Sequence, residues 1–170
     1  MDYKKIIREV PDFPKKGILF YDITTLLNNA DAFNALIDDM VAKVKDLNPT
    51  KIIGIESRGF VFGAPIAIKL NKPFVPIRKP GKLPYKTINY TYDLEYGTDT
   101  VHMHEDALTA DDRVVIVDDL LATGGTISAS AKLVEKCHAN VAALLFAIEL
   151  EFLHGRKRIE NYKSFSIIKY

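Results

Sequence analysis

Between residues 31 and 47 the apolar side chains Phe33, Leu36, Ile37, Met40, Val41, Val44 and Leu47 return every three or four positions, the spacing of one helix face. The pattern predicts an amphipathic helix that ends before Asn48 and Pro49. The run Lys51–Ile55, apolar after its first residue, reads as a strand buried on both faces. The same signals then repeat: a helix over residues 59–70, strands over 74–77 and 114–117, a helix over 126–137, and strands over 141–148 and 165–168. Helices alternating with wholly apolar strands predict βαβ units with right-handed crossovers. The expected fold is therefore α/β, with a mostly parallel central sheet flanked by helices. No repeat, low-complexity tract or Gly/Ser linker divides the chain, so residues 1–170 are expected to form a single domain.

Two stretches break the rhythm. Residues 10–25 carry Pro11, Pro14 and Gly17 together with Phe13, Ile18, Leu19 and Phe20, a greasy irregular loop suited to covering something. Residues 80–105 hold Pro80, Gly81, Pro84 and Gly97 around an alternating run, which predicts a pair of antiparallel strands or a flap over a site.

Composition narrows the setting. A chain of 170 residues, 48% apolar and 26% charged, has the balance of a soluble globular domain with a core that needs neither disulfides nor structural metal. Lys plus Arg number 23 against 22 Asp plus Glu, so the net charge of +1 gives no general attraction to nucleic acid or an anionic membrane. Any anion site must be local. The single Cys137 excludes an internal disulfide framework and suits a reducing compartment. The longest apolar run, residues 141–148, falls well short of the ~20 residues of a membrane span. The opening MDYKKIIREV is mixed in charge and does not read as a signal peptide. These features point to the cytoplasm, with no membrane or nucleic-acid partner.

The chemistry concentrates in residues 114–126, VVIVDDLLATGGT. A buried strand is expected to end in Asp118 and Asp119, and a short loop with two Gly and two Thr opens the next helix. Ligands of open α/β sheets sit beyond the carboxyl ends of strands. A helix N-terminus offers unpaired N–H groups, and glycine lets the backbone approach a phosphate. The paired acids have the opposite taste: carboxylates accept hydrogen bonds from a sugar diol and repel bare phosphate. Ribose 5-phosphate satisfies both ends. There is no Lys after the glycines, as a Walker A loop requires, and adjacent glycines do not make a dinucleotide fingerprint. The plain alternative is a helix start with turn glycines and two solvated acids.

The same stretch resembles the phosphoribosyl pyrophosphate signature of the type I phosphoribosyltransferases. FPKKGILF at 13–20, ESRGF at 56–60, RKPGKLP at 78–84 and LEYG at 94–97 resemble the corresponding segments of the family's adenine-using members, in the family's order. The resemblance runs from residue 11 to about residue 150. It implies the type I fold, with a small hood from residues 10–27 that binds the base and a flexible flap from 80–105. It implies purine salvage, in which adenine and phosphoribosyl pyrophosphate give AMP and pyrophosphate. Magnesium would be carried by the substrate, with no direct metal ligand on the protein.

Residue by residue, the resemblance implies that Ala122, Thr123, Gly124, Gly125 and Thr126 hold the 5′-phosphate and that Asp118 and Asp119 face the ribose hydroxyls. Glu56, Ser57, Arg58, Arg78, Lys79 and Lys82 would serve the pyrophosphate, with a non-proline cis peptide at Glu56–Ser57. Adenine would lie between Phe20 and Leu120, its amine donating to the Leu19 carbonyl and a ring nitrogen accepting from the Tyr21 N–H. Glu95 on the flap would be the catalytic base. A homodimer is implied, because part of the basic loop reaches across a dimer in relatives. Many relatives carry Arg where this chain has Tyr21, a change compatible with base contacts made by the backbone.

Other readings of these residues are blander. Ser57 has no His or acid beside it in sequence to make it a nucleophile, and Arg58 alone reads as a surface ion pair. The cluster Arg78, Lys79, Lys82 and Lys86 alone reads as a solvated face. His102 and His104, two apart, point one way on a strand but lack a third ligand. Cys137 reads as a buried helix residue, and Asp38 and Asp39 fall on a polar helix face. The rival functions are a phosphoribosyltransferase for another nucleobase and a non-catalytic phosphoribosyl-pyrophosphate-binding regulator.

Overall fold

A computed structural model describes residues 1–93 and 97–170. They form two compact units, Met1–Asp39 and Met40–Tyr170.

In the first unit β1 (Arg8–Pro11) and β2 (Leu19–Asp22) pair antiparallel, with Arg8 opposite Asp22 and Pro11 opposite Leu19. The segment expected to be irregular is thus a short ribbon. Its loop is closed locally: the Phe13 N–H donates to the Ile18 carbonyl at 3.2 Å, and the Gly17 N–H donates to Asp12 Oδ1 at 2.6 Å. Gly17 has φ of +88°, a left-handed turn conformation that glycine adopts without strain. The prolines do not prevent pairing, because Pro11 ends β1 and Pro14 lies in the loop after a cis Phe13–Pro14 bond. Phe13, Ile18 and Leu19 stay exposed. After α1 (Thr24–Leu27), α2 (Ala30–Val44) starts with Asn29 accepting the Ala32 N–H at 3.1 Å, an N-cap. The stripe read from the sequence buries Leu36, Ile37, Met40 and Val44, and residues 45–47 finish as a 3-10 turn.

The second unit continues through β3 (Lys51–Ile55), α3 (Gly59–Leu70), β4 (Phe74–Ile77), β5 (Thr87–Asp93), β6 (Thr98–His104), β7 (Arg113–Leu121), α4 (Gly125–Lys136), β8 (Asn140–Glu149) and β9 (Ser164–Lys169). The main sheet has the order β4-β3-β7-β8-β9 and is parallel throughout. From β3 the chain crosses outward to β4, and from β7 it crosses the other way to β8. Two right-handed crossovers in opposite directions put α3 and α4 on opposite faces. Helix α3 packs on β3 and β7, and α4 on β7, β8 and the β5–β6 hairpin. Ile52, Ile53, Val115, Ile116, Leu144 and Phe146 are fully buried. The strand order reverses between β3 and β7, which opens a crevice at their carboxyl ends.

β3, α3 and β4 keep the bounds expected from the apolar pattern, and the flap strands form an antiparallel hairpin from Thr87↔His104 to Asp93↔Thr98. β7 departs from expectation. Instead of closing with the pair Asp118 and Asp119 it runs on to Leu121, because β8 continues to pair with it as far as Leu121↔Glu149 after β3 has stopped at Gly54↔Val117. Among the described residues, no helix is long and apolar enough to cross a membrane.

Candidate active site

Helix α4 follows Gly124 at its N-cap, whose φ is +80°, and no side chain caps it. Its first-turn N–H groups have no acceptor within the helix. They border an open cavity of about 90 Å³ lined by Asp118 and residues 120–127. All five residues expected to hold a 5′-phosphate, Ala122, Thr123, Gly124, Gly125 and Thr126, line that cavity together with Asp118 and Leu120. The positive end of the helix dipole faces the same space.

The two acids stand on the extension of β7 beyond β3, which pairs with β8 alone. Asp118 Oδ1 accepts the Asp119 N–H at 2.9 Å, and Asp119 Oδ2 lies 2.8 Å from Arg58 Nε. Burial pushes the Asp118 carboxyl well above the usual range, and the neighbouring Asp119 charge adds to the shift. Burial raises Asp119 as well, against the opposing pull of Arg58. Hydrogen-bond donors from a diol would relieve both.

The second anion loop follows β3. The Glu56–Ser57 peptide is cis, as expected. Glu56 sits between two partners: Lys79 donates its backbone N–H to Oε2 at 2.8 Å, and the Arg78 guanidinium bonds both carboxylate oxygens at 3.2 Å. The Lys79 N–H and then Arg78 hold the Glu56 carboxyl below its usual range. Arg78 also donates to the Lys82 carbonyl at 3.2 Å, which folds the basic loop onto the loop at 56–58. Ser57 and Arg58 are exposed, and among the described residues no His or acid partners the Ser57 hydroxyl. The two anion loops touch through Gly59, where a Cβ would stand 2.8 Å from the Val117 carbonyl oxygen and 3.0 Å from Asp118 Oδ1. Only glycine lets α3 start this close to the end of β7.

One element of the site escaped the sequence reading. After β8, a 3-10 turn at Gly155–Ile159 presses on the 5′-phosphate loop. A Cβ on Gly155 would lie 2.2 Å from the Ala122 carbonyl oxygen, and one on Gly124 would lie 2.6 Å from the Gly155 carbonyl oxygen. The turn is anchored by a bidentate pair in which Arg156 Nε and Nη2 donate to the buried Glu149 carboxylate at 2.6 and 2.7 Å. Arg156 also donates to Ser164 Oγ at 2.8 Å and Ser166 Oγ at 3.2 Å. Arg158, on the same turn, brings Nη1 to 3.2 Å from the position of a Cβ on Gly125. The available signal was an acid, Glu149, closing an otherwise apolar strand and followed within a few residues by Gly-Arg.

The residues expected to hold the base are divided between the units. Leu19, Phe20 and Tyr21 form most of β2, where Phe20 packs edge-on against Phe13 with ring centroids 5.1 Å apart. Burial, and then Glu9, raises the Tyr21 phenol. Leu120 is on the β7 extension in the second unit. Glu95 lies outside the described residues. His102 bonds Thr87 Oγ1 at 3.1 Å, and the His104 ring meets Tyr85 edge-on at 6.2 Å. Among the described residues no cluster of three His, Cys, Asp or Glu side chains is placed to hold a metal ion. Burial raises the Cys137 thiol, which makes it a poor nucleophile.

Residues 22–169 match the phosphoribosyl transferase domain family. An adenine phosphoribosyltransferase of Desulfitobacterium hafniense is 56% identical over 170 residues, covering 100% of this chain and 98% of that one. The crystal structure of adenine phosphoribosyltransferase from Thermoanaerobacter pseudethanolicus superposes with a TM-score of 0.95 at 53% identity, over 99% of this chain and 98% of that chain. The Saccharomyces cerevisiae enzyme, complexed with an imino-altritol bisphosphate and adenine, gives a TM-score of 0.92 at 39% identity, over 97% of this chain and 96% of that chain. With two anion loops meeting at the β3/β7 crevice and likeness along its whole length, the chain belongs to the phosphoribosyltransferase family, on its adenine phosphoribosyltransferase branch.

Proposed function

We infer that the protein is a purine-salvage enzyme that joins adenine to the ribose of phosphoribosyl pyrophosphate, releasing pyrophosphate and forming AMP. The observation that carries this reading is the meeting at one crevice of an uncapped helix start, a half-buried Asp118 beside a buried Asp119, and a second loop rich in cations. The first suits the 5′-phosphate, the second the ribose diol and the third the leaving group. Arg58, Arg78, Lys79 and Lys82 receive the pyrophosphate, with Glu56 orienting Arg78 and Lys79. Their charge stabilises what develops on the leaving group, so no covalent enzyme intermediate is needed. Asp118 and Asp119 favour the oxocarbenium character of the ribose while they bind its hydroxyls.

The backbone of Leu19 and Tyr21 selects a 6-amino purine: the carbonyl takes the exocyclic N–H and the N–H serves a ring nitrogen, while Phe20 supplies apolar contact. A 6-oxo purine would leave these groups mispaired, which can cost a substrate orders of magnitude. Glu95 accepts the proton that adenine loses as its N9 bonds to the sugar. Magnesium arrives as part of the substrate, whose hard oxygen donors suit it. The oxygen-only acceptors Asp118 and Asp119 beside the crevice are compatible with that. A homodimer in the cytoplasm completes the reading, supported by Val61 and Ile68 left exposed on α3 and by the single thiol.

The test is turnover of the purified chain with magnesium, phosphoribosyl pyrophosphate and a panel of bases, with sedimentation for the dimer. Adenine should be consumed in preference to all others. Hypoxanthine used equally well would overturn the base assignment, and tight phosphoribosyl pyrophosphate binding with no turnover would favour a regulator.

A further inference from the structure

Tyr92 and Asp99 face each other across the β5–β6 hairpin, the last pair but one before its tip. The Tyr92 hydroxyl donates to Asp99 Oδ2 at 3.0 Å and lies 2.9 Å from Thr126 Oγ1. A phenol has one hydrogen, so with that hydrogen on the carboxylate its oxygen accepts from Thr126. Asp99 also pairs with the Lys79 ammonium and accepts the Thr100 N–H at 2.8 Å. Lys79 in turn donates its backbone N–H to Glu56. A continuous chain of polar contacts therefore runs from the loop after β3, through Lys79, Asp99 and Tyr92, to the first turn of α4. The Tyr92 ring flanks that turn as well, 3.6 Å from where a Cβ on Gly125 would stand.

We propose that Tyr92 and Asp99 are positioning residues that hold Thr126 and Lys79 at the spacing needed to capture the two ends of phosphoribosyl pyrophosphate. The inference rests on the function proposed above and adds to it two flap residues with no contact of their own to substrate. A free lysine side chain loses rotamer entropy when it is fixed, and the pair with Asp99 removes that freedom before substrate arrives. Lys79 has three N–H donors, and the Asp99 bond leaves two for pyrophosphate oxygens. Burial works against the Lys79 charge, but Asp99 and Tyr92 outweigh it and keep the ammonium above its usual range. Tyr92 does for the Thr126 rotamer what Asp99 does for Lys79, and each braces the other.

The experiment compares Tyr92→Phe, Asp99→Asn, Lys79→Gln and the Asp99→Asn/Lys79→Gln double variant in steady-state kinetics and in calorimetric binding of inorganic pyrophosphate. Tyr92→Phe and Asp99→Asn should each raise the KM for phosphoribosyl pyrophosphate by about three- to tenfold, the range expected for one lost hydrogen bond. The KM for adenine and the thermal midpoint should hold. Asp99→Asn should weaken pyrophosphate binding in the unmodified background and change nothing once Lys79 is Gln. An unchanged or lowered KM for phosphoribosyl pyrophosphate, an equal rise for adenine, or an Asp99→Asn effect that persists without Lys79 would overturn the proposal. An unmodified protein that turns over no adenine would instead overturn the assigned reaction, and the pyrophosphate series would still decide whether Asp99 acts through Lys79.

Discussion

Replacing Gly155 by Ala should damage binding at the proposed 5′-phosphate loop from the turn packed behind it. The new Cβ would stand 2.2 Å from the Ala122 carbonyl oxygen and 3.1 Å from the Gly124 nitrogen, against ordinary contacts of 3.4–4 Å. Something must therefore yield by roughly 1 Å, and backbone on both sides makes that expensive. The turn is pinned by Arg156 on Glu149, and the loop is held between β7 and α4. Overpacking of this kind costs about 1–3 kcal/mol, which in a domain of this size lowers Tm by ~2–4 °C per kcal/mol. The larger effect should be on affinity. On the proposed function the backbone N–H groups of residues 123–126 converge on one phosphate, and a misplacement of about 1 Å in such a site can cost ~100-fold. Calorimetric titration with AMP, paired with scanning calorimetry, should show a Kd raised about tenfold or more beside a drop in Tm of a few degrees. If Gly155→Ala bound AMP as tightly as the unmodified protein and melted at the same temperature, the turn would not be the buttress described.

Asp112 should carry a pH-dependent share of the stability. Burial opposes its charge, but the Thr109 N–H, Lys51 and Thr50 override it and hold the carboxyl at about 2, against 3.8 when unperturbed. A depressed acid stabilises above its unfolded pKa and loses that contribution as pH falls through the folded one. Asp112→Asn should thus cost about 2 kcal/mol at pH 7, a gap in urea midpoints that shrinks by pH 3; a constant gap would refute it. Asp118 has the opposite sign: its raised carboxyl favours the fold at low pH and opposes it once ionised. Asp118→Asn should leave Tm at pH 8 unchanged or higher while weakening phosphoribosyl pyrophosphate binding about tenfold or more, and a clear loss of Tm would contradict this. Glu95→Gln should slow single-turnover AMP formation about 100- to 10,000-fold with phosphoribosyl pyrophosphate binding near normal, and an unchanged rate would remove Glu95 as the base.

Elements bounded by clear breaks in the apolar pattern were legible to the residue. Ile52, Ile53 and Ile55 are buried, so the apolar run and β3 coincide, while α3 and β4 are set off by the loops at 56–58 and 71–73 even though Val61 and Ile68 of α3 stay exposed and β4 is buried at alternate positions. The grouping of Gly124, Gly125 and Thr126 at one cavity was legible because the motif is local: a strand end, a short loop and a helix start follow each other directly in sequence. What failed depended on distant partners. The extension of β7 beyond Asp119 to Leu121 exists because residues about thirty positions later continue the ladder. The β1–β2 ribbon hid among prolines and a glycine that read as loop. The Gly155 turn carries no motif, and its role comes from a close approach to Ala122 that only folding creates. Likewise, Tyr92 and Asp99 read as ordinary flap residues until the hairpin register set them opposite each other.

The seating of Gly155 on Ala122 and Gly124 also sets when the site can exist during synthesis. β3 is made early but pairs with β7 across about sixty residues, and its loop gains its neighbour at Gly59 only once Val117 and Asp118 are in place. Even then the 5′-phosphate loop lacks its backing until Gly155 and the anchoring Arg156 have left the ribosome. A nascent or prematurely terminated chain that ends after β8 contains every residue of the phosphate motif yet should not bind ribose phosphates with full affinity. On the proposed function, ribose-phosphate binding would report on chains made past Arg156, and stabilisation by bound nucleotide would be confined to them.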